Sequence, residues 1–331
     1  MTRLWLRRLS AGLIVVLGYL FVCMVFYSSL RNQNPAHRDF IEYWASERLL
    51  LKHQNPYNPS AIHKIEVGAG LDRPAPEISF SPPVFAIALL PLGMVNAQSG
   101  LILWSIALFT CLSISIWLLW RLCERRDPLL ILLGFAFGPV IACISASQIG
   151  IFLLLSLMLF FELRETWPFL AGVALTPLAL KPHLFLPFMC VLLLWQITRR
   201  SFRILGGFAV GLLANCGLAA WYAPQIWTQY RELIESAGIL DHFVPTLSVV
   251  LRHLIAPNQQ WLQFAPVACA CVWSIWYFLE HRARWSWTSH GMLVLLVSSL
   301  CPPYAWFTDE SVLLPAVMLG LIAALTTNRP V

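Results

Sequence analysis

Long apolar runs separated by short charged loops dominate this sequence, and they constrain its fold more than any other feature. The runs lie at about 11–30, 84–95, 100–120, 129–145, 149–163, 167–180, 184–197, 204–222, 261–279, 287–300 and 311–326. Only 11% of the 331 residues are charged, whereas a soluble domain carries about 25%. Because a membrane span needs about 20 apolar residues, we predict an all-α polytopic membrane protein without a separate soluble domain.

Arginines cluster in three short loops, at 121–128, 198–203 and 280–290. We expect these loops in the cytoplasm, because lysine and arginine accumulate on that side of a membrane. Two longer loops, 31–82 and 223–259, then lie on the outer side. The first of them is not basic, since it carries six Lys+Arg and six Asp+Glu.

The run at 84–95 is the weakest candidate span. It has twelve residues, includes Pro91 and directly follows Pro82 and Pro83. Twelve helical residues reach about 18 Å, which is short of a hydrocarbon core of about 30 Å. We therefore expect a re-entrant or interfacial helix on the outer side. That leaves ten crossings, both termini in the cytoplasm and a single membrane domain over residues 1–331.

The segment HRDFIEYWASERLLLKHQNPY, residues 37–57, follows the first run and is charged and aromatic. Its spacing predicts a short interfacial helix over 39–52, with aromatic side chains toward lipid or protein and charged ones toward water. Asp39 and Glu42 have the spacing of a capping box, so Asp39 is predicted to cap this helix. A general base at the outer surface is the other interpretation of Asp39, and a capped helix would also hold its carboxylate still.

Cysteines and charges exclude several classes of function. The nine cysteines contain no C-x-x-C pair, and most lie inside apolar runs, where they act as small hydrophobic residues. No histidine or carboxylate spacing is typical of a metal site, so we expect neither a metal nor a cofactor. Loop lysines and arginines explain the net charge of +6, and nothing indicates nucleic-acid binding.

Six segments, in order along the chain, carry a resemblance to a known family. They are RDFIEYWASERLLLKHQNPY at 38–57, FSPPVFAIALLPL at 80–92, SQIGIFLLLSLMLF at 147–160, LALKPHLFLPF at 178–188, TLSVVLRHL at 246–254 and CPPYAWFTDESVLLP at 301–315. Together they resemble glycosyltransferase family 87, which includes mannosyltransferases of phosphatidylinositol mannosides. Ser147 stands where the family pattern has Gly. The chain is shorter than the family pattern leads us to expect.

This resemblance implies a GT-C-like bundle in a bacterial plasma membrane, with the active site on the extracytoplasmic face. A polyprenyl-phosphate-linked sugar, with a hexose such as mannose, would be the donor, and a lipid or glycan would be the acceptor. Asp39 matches the catalytic Asp of the family. A carboxylate in that position would take the proton of the attacking hydroxyl.

The leaving polyprenyl phosphate gathers negative charge, which a fixed cation would stabilise. Lys181 is the first candidate, because a lysine at an outer turn is costly unless an anion offsets it. A lysine that snorkels to the headgroups is the alternative. Five further substrate-binding candidates each have a plainer role as an anchor, a charge partner or a solvated loop residue: Arg252, Arg38, His242, Gln148 and Asp309.

Two other functions remain open from the sequence. A transporter or flippase of lipid-linked sugars would place ionisable residues in mid-span, whereas the apolar runs here are nearly free of charge. A non-catalytic assembly factor with a degenerate transferase fold would keep the same pattern.

Overall fold

The computed structural model describes residues 2–31, 34–124, 129–238, 244 and 246–327. These residues form sixteen α-helices and several 3₁₀ turns, and they contain no β-strand. The first four helices are α1 (Thr2–Arg31), α2 (Phe40–Leu50), α3 (Pro59–Gly68) and α4 (Ala86–Gly93). The predicted all-α membrane class is therefore confirmed.

The middle of the chain forms the core of the bundle. Its helices are α5 (Ala97–Leu122), α6 (Leu129–Phe135), α7 (Gly138–Ala146), α8 (Gly150–Leu163), α9 (Pro168–Ala174) and α10 (Leu186–Thr198). Helix α8 lies at the centre and packs against α5 and α9. Its residues Ile151, Leu153, Leu154 and Leu157 are completely buried. A helix that is apolar all round is expected in such a position.

The last third of the chain completes the perimeter. Its helices are α11 (Arg203–Tyr222), α12 (Ile226–Ser236), α13 (Leu247–Ile255), α14 (Ala265–His281), α15 (His290–Leu300) and α16 (Leu314–Thr327). Helices α9 and α11 cross at backbone contact. A Cβ atom on Gly207 would lie 2.0 Å from the carbonyl oxygen of Phe169, so only glycine permits this approach. Small residues commonly allow helices to pack closely in membranes.

Four described helices are long and apolar enough to cross a membrane, namely Ala97–Leu122, Arg203–Tyr222, Gln260–Arg284 and Phe307–Ala324. Several other predicted spans form shorter apolar helices, such as Gly150–Leu163 and Leu186–Thr198. Proline explains one interruption: Pro139 is the second residue of α7, and it cannot supply the N–H that a continuous helix from α6 would need. The number of ten crossings stays a prediction.

The run at 84–95 is short, as predicted. Helix α4 has eight residues, which corresponds to a length of about 12 Å. It packs against α2, and a Cβ atom on Gly93 would lie 2.8 Å from the backbone carbonyl carbon of Glu47. Helix α2 itself is buried on most sides rather than lying on a surface. The expectation that this helix turns its charged side chains toward water is therefore wrong, because α3, α4 and α5 cover those faces. Its place at the membrane interface stays a prediction.

Candidate active site

Asp39 does not cap helix α2. Its backbone is already helical, with φ −61° and ψ −18°, and its side chain makes no capping hydrogen bond. The predicted capping box with Glu42 is therefore wrong. The backbone N–H of Asp39 instead donates to the carbonyl oxygen of Ala146 at 2.9 Å. This bond fixes the start of α2 to the end of α7, across more than a hundred residues of sequence.

The side chain of Asp39 is held by Gln148. The Gln148 Nε2 atom donates to Asp39 Oδ2 at 2.7 Å, and Gln148 Oε1 accepts from the Tyr43 hydroxyl at 3.1 Å. Because the tyrosine donates to the amide oxygen, the amide nitrogen must face the carboxylate. Asp39 Oδ1 has no hydrogen-bond partner among the described residues and remains able to accept a proton. Gln148, predicted to contact substrate, contacts the predicted base.

Contacts on several sides hold the turn that contains Gln148 in place. Ser147 has a left-handed backbone with φ 63°, and its carbonyl oxygen accepts from Trp104 Nε1 at 2.8 Å. Gly150, directly after the turn, touches the segment Phe307–Leu313, since a Cβ atom there would lie 2.6 Å from Ser311 Oγ. Residues other than Gly rarely adopt this left-handed conformation. The position is the one where the family pattern has Gly.

Glu42 extends this hydrogen-bond chain. Burial raises the pKa of the Glu42 carboxyl to about 8, so it carries a proton at neutral pH. Its side chain also hydrogen-bonds Tyr43. The Tyr43 hydroxyl thus lies beside Glu42 and donates to Gln148, which in turn donates to Asp39. Burial also raises the pKa of Asp39, while the bond from Gln148 opposes that shift.

A small polar cavity lies beside this chain, with a volume of about 70 Å³. We call it the polar cavity. Its lining includes Glu42, Tyr43, Gln148, Lys181, Tyr304 and Trp306. Carboxyl, amide and ammonium groups together with aromatic rings are suited to a hydroxyl-rich ligand, because such a ligand presents both polar groups and C–H faces.

Lys181 reaches the polar cavity, but its charge is already balanced. Its Nζ lies 2.6 Å from Asp309 Oδ1, and the two residues are only 8% and 2% exposed. Asp309 Oδ2 also accepts from the backbone N–H of Trp306 at 3.0 Å. The anion that offsets this lysine is therefore a carboxylate 128 residues away. Asp309 both pairs with Lys181 and holds the start of the 3₁₀ turn at Phe307–Leu313.

An apolar groove of about 430 Å³ is lined by Arg38, the residue before Asp39, and we call it the lipid groove. Asp39 itself lines neither this groove nor the polar cavity. Helices α1, α5, α6 and α7 form its walls, and its polar lining consists of Arg38, Ser105, Ser145 and Ser147. The half-buried guanidinium of Arg38 forms no salt bridge with a described residue. Burial lowers the pKa of Arg38, and the charge of the adjacent Asp39 opposes that shift. Phe21 and Ile141 line the groove and are 61% and 51% exposed. The groove therefore opens at the apolar perimeter of the bundle.

The remaining predicted residues lie elsewhere. Arg252 is buried on α13 and lines neither the polar cavity nor the lipid groove. His242 lies outside the described residues. Sequence reasoning did not single out Glu42 or Tyr43 as site residues. Both follow Asp39 within one helical turn, a spacing that could have indicated them.

A model of one protein family matches residues 81–325, or 245 of the 331 residues. The chain belongs to glycosyltransferase family 87. The resemblance seen in the sequence motifs is thereby confirmed, and this family 87 protein is a membrane glycosyltransferase. No curated protein and no solved structure matches it.

The family 87 match includes the turn with Gln148 and the residues Lys181 and Asp309. It begins after α2, so Asp39 and Arg38 lie outside it. The docking of Asp39 onto Ala146 and Gln148 therefore joins a segment outside the match to a segment within it.

Proposed function

We propose that this protein transfers a hexose, such as mannose, from a polyprenyl-phosphate donor to a lipid or glycan acceptor at the extracytoplasmic face. Asp39 acts as the general base. The observation that supports the proposal is that the neighbours of Asp39 line two different cavities, although Asp39 itself lines neither. Arg38 lines an apolar groove that opens at the perimeter, and Gln148, which donates to Asp39, lines a small polar cavity. A reaction that joins a lipid-linked donor to a polar acceptor needs this pair of environments side by side.

The donor occupies the lipid groove. Its walls of Phe, Leu, Ile and Val side chains are suited to an isoprenoid chain, since burying apolar surface is favourable. The phosphate lies at Arg38, whose planar guanidinium can bind two phosphate oxygens at once. This assignment moves the phosphate contact from Lys181 to Arg38, because Lys181 already has Asp309 as its counter-ion.

The acceptor hydroxyl approaches from the polar cavity. Its oxygen attacks the anomeric carbon while Asp39 Oδ1 takes its proton. The bond between the anomeric carbon and the phosphate oxygen breaks, and the electron pair leaves with the polyprenyl phosphate. Arg38 stabilises the charge that develops there. The raised pKa of Asp39 makes it a better base than an exposed aspartate, provided that the pH leaves it ionised.

The decisive experiment compares Asp39→Asn with Asp72→Asn in purified protein. Asp72 lies in the same loop, and its side chain is 74% exposed. We expect Asp39→Asn to lower sugar transfer by about 10²- to 10⁴-fold, because asparagine keeps the size but cannot accept the proton. Donor binding and thermal stability should change little. Transfer is followed as release of polyprenyl phosphate from a panel of polyprenyl-phosphate sugars.

Asp72→Asn should retain full activity. Near-normal turnover of Asp39→Asn would contradict the proposed base. Binding of the lipid-linked donor without any transfer by the unmodified protein would favour a transporter or an assembly factor instead.

A further inference from the structure

A second apolar groove lies between α13 and α14, and the proposed reaction does not use it. Its volume is about 400 Å³, and we call it the α13–α14 groove. Helix α13 contributes Leu247, Leu251 and Ile255 to its lining, and α14 contributes Cys269 and Trp273. No described residue of the lining is charged, and none of them lines the polar cavity or the lipid groove. Such a groove is suited to a hydrocarbon chain, since burying apolar surface is favourable.

The α13–α14 groove is continuous with the side of α14 that faces lipid. The segment Gln260–Arg284 is one of the four described segments that are long and apolar enough to cross a membrane. Cys269, Val272 and Trp276 are all exposed, and their helical spacing places them on one stripe of α14. Because Cys269 also lines the groove, the lipid that covers this stripe reaches the groove.

The groove begins at the level of a membrane interface. Cys269 is the fifth residue of α14, so it lies about 6 Å along the helix from its start. The 3₁₀ turn Gln260–Phe264, directly before α14, exposes Trp261 and Phe264. Tryptophan is enriched where headgroups meet the hydrocarbon core. In the predicted topology this interface belongs to the outer leaflet.

Helix α13 has two unlike sides. Ser248 and Val249 are completely buried, whereas Leu254 and Ile255 are 77% and 68% exposed. Large apolar side chains on one side of an interfacial helix favour contact with lipid chains. Of the two exposed neighbours, only Ile255 lines the groove. This pair can therefore separate the groove from the apolar surface around it.

Two buried side chains connect this region to a loop that lines the polar cavity. Ser248 Oγ donates to the carbonyl oxygen of Cys301 at 3.2 Å, and Gln263 Nε2 donates to that of Pro303 at 2.6 Å. Cys301 also lines the α13–α14 groove, and Trp306 of the same loop lines the polar cavity. A chain in the groove therefore contacts one end of a loop whose other end borders the polar cavity.

We propose that the α13–α14 groove binds an acyl chain of an outer-leaflet phospholipid, and that this lipid holds the loop 301–306 in position beside the polar cavity. The lipid is neither the donor nor the acceptor. The inference therefore depends neither on Asp39 as the base nor on a donor in the lipid groove.

Photocrosslinking of the full-length protein tests the binding of lipid. The protein is placed in phosphatidylcholine nanodiscs that contain some phosphatidylcholine with a diazirine in one acyl chain. It is then transferred to dodecyl maltoside, so that loosely bound lipid is diluted away, and irradiated. Mass spectrometry of the digested protein locates the crosslinks. We expect crosslinks in α13 and in the first half of α14 to persist after the transfer.

Two pairs of variants locate the lipid in the groove. Ile255→Glu places a carboxylate where the chain lies, which is costly in hydrocarbon, and Cys269→Trp fills the groove with an indole ring. Each should lower the crosslink yield at least about tenfold. Leu254→Glu and Val272→Trp are the matched controls. They change exposed neighbours on the same helices that do not line the groove, and they should retain the yield.

Hydrogen exchange at the amides of residues 304–306 tests the effect on the loop, in the same nanodiscs. Ile255→Glu should speed this exchange, because the groove is left empty, whereas Leu254→Glu should not. Cys269→Trp should keep the exchange slow, since its indole ring replaces the chain. All four replaced residues are exposed, so the fold should survive each change.

The absence of persistent crosslinks in α13 and α14, or equal yields within each pair of variants, would overturn the lipid site. Displacement of the photolipid by a polyprenyl-phosphate sugar would assign the groove to the donor and would also overturn it. Loss of the crosslinks in Ile255→Glu without faster exchange would contradict the effect on the loop.

Discussion

The polar cavity and the lipid groove lie on opposite sides of the same turn, yet the cations that line them are in opposite situations. Lys181 in the polar cavity is buried and paired with Asp309 at 2.6 Å. Arg38 in the lipid groove is half-buried and forms no salt bridge with a described residue, and the adjacent Asp39 is the carboxylate whose charge acts on it. The difference indicates that the lysine holds the fold, whereas the arginine is available to a ligand. Predictions for Lys181, Gln148, Arg38 and Ser147 test the two sites and the turn between them.

The largest effect is expected for Lys181→Ala. Removing the lysine leaves the carboxylate of Asp309 buried without its partner, and breaking such a pair costs about 3–5 kcal/mol. The free energy of unfolding should fall by that amount, as measured by denaturation in detergent. The double variant with Lys181→Met and Asp309→Leu should recover much of the loss, because no charge stays buried. A stable Lys181→Ala protein with weakened donor binding would contradict this contrast, because Lys181 would then bind the donor and would not be needed for the fold.

Gln148→Ala should have the next largest effect. A hydrogen bond to a charged group contributes about 1.5–3 kcal/mol, so transfer should fall by roughly 10- to 100-fold. The bond from Gln148 lowers the pKa of Asp39. Without it, that pKa rises further, and the base is protonated up to a higher pH. The acidic limb of the pH–rate profile should therefore move to higher pH.

A purely structural role of Gln148 would lower the rate without moving that limb. Tyr43→Phe provides a second check, because it removes the hydroxyl that orients the amide and leaves Gln148 in place. It should shift the same limb in the same direction by a smaller amount.

Arg38→Ala tests the lipid groove. We expect the affinity for a polyprenyl-phosphate sugar to fall about tenfold, as for the loss of one charge-assisted contact. Stability should change little, since Arg38 is only half-buried and no salt bridge to a described residue is lost. Arg38→Lys should recover only part of the affinity, because an ammonium cannot bind two phosphate oxygens in the same plane. Unchanged donor affinity in Arg38→Ala would place the phosphate elsewhere.

The smallest effect is expected for Ser147→Gly, at the turn that separates the two sites. A residue other than glycine in the left-handed conformation strains the folded backbone by about 1–2 kcal/mol. Replacing Ser147 by glycine should therefore raise the free energy of unfolding by about 1 kcal/mol. Ser145→Gly is the control, because Ser145 lies inside α7, where glycine costs about 0.5–1 kcal/mol. A destabilised Ser147→Gly protein would mean that the serine side chain stabilises the turn more than its backbone strains it.

Local patterns in the sequence predicted much of the fold. Apolar runs predicted helices, the proline-flanked run at 84–95 predicted a short one, and ordered motifs indicated the family. Local spacing failed at Asp39, where it predicted a helix cap. It also failed for α2, whose charged side chains were expected to face water and which is buried on most sides. At Asp39 the cause is a pair of contacts with Ala146 and Gln148, far away in the sequence, whereas α2 is covered by α3, α4 and α5.

The sequence by itself determined that this protein is an all-α membrane glycosyltransferase of family 87, because hydrophobic periodicity and ordered motifs are local properties. It also singled out Asp39. Only the tertiary structure decided the partners of the charged groups: Gln148 for Asp39, Asp309 for Lys181 and the lipid groove for Arg38. Each of these pairings or contacts joins segments far apart in the chain. Electrostatic energy depends on distance and burial in space, which residue spacing does not encode.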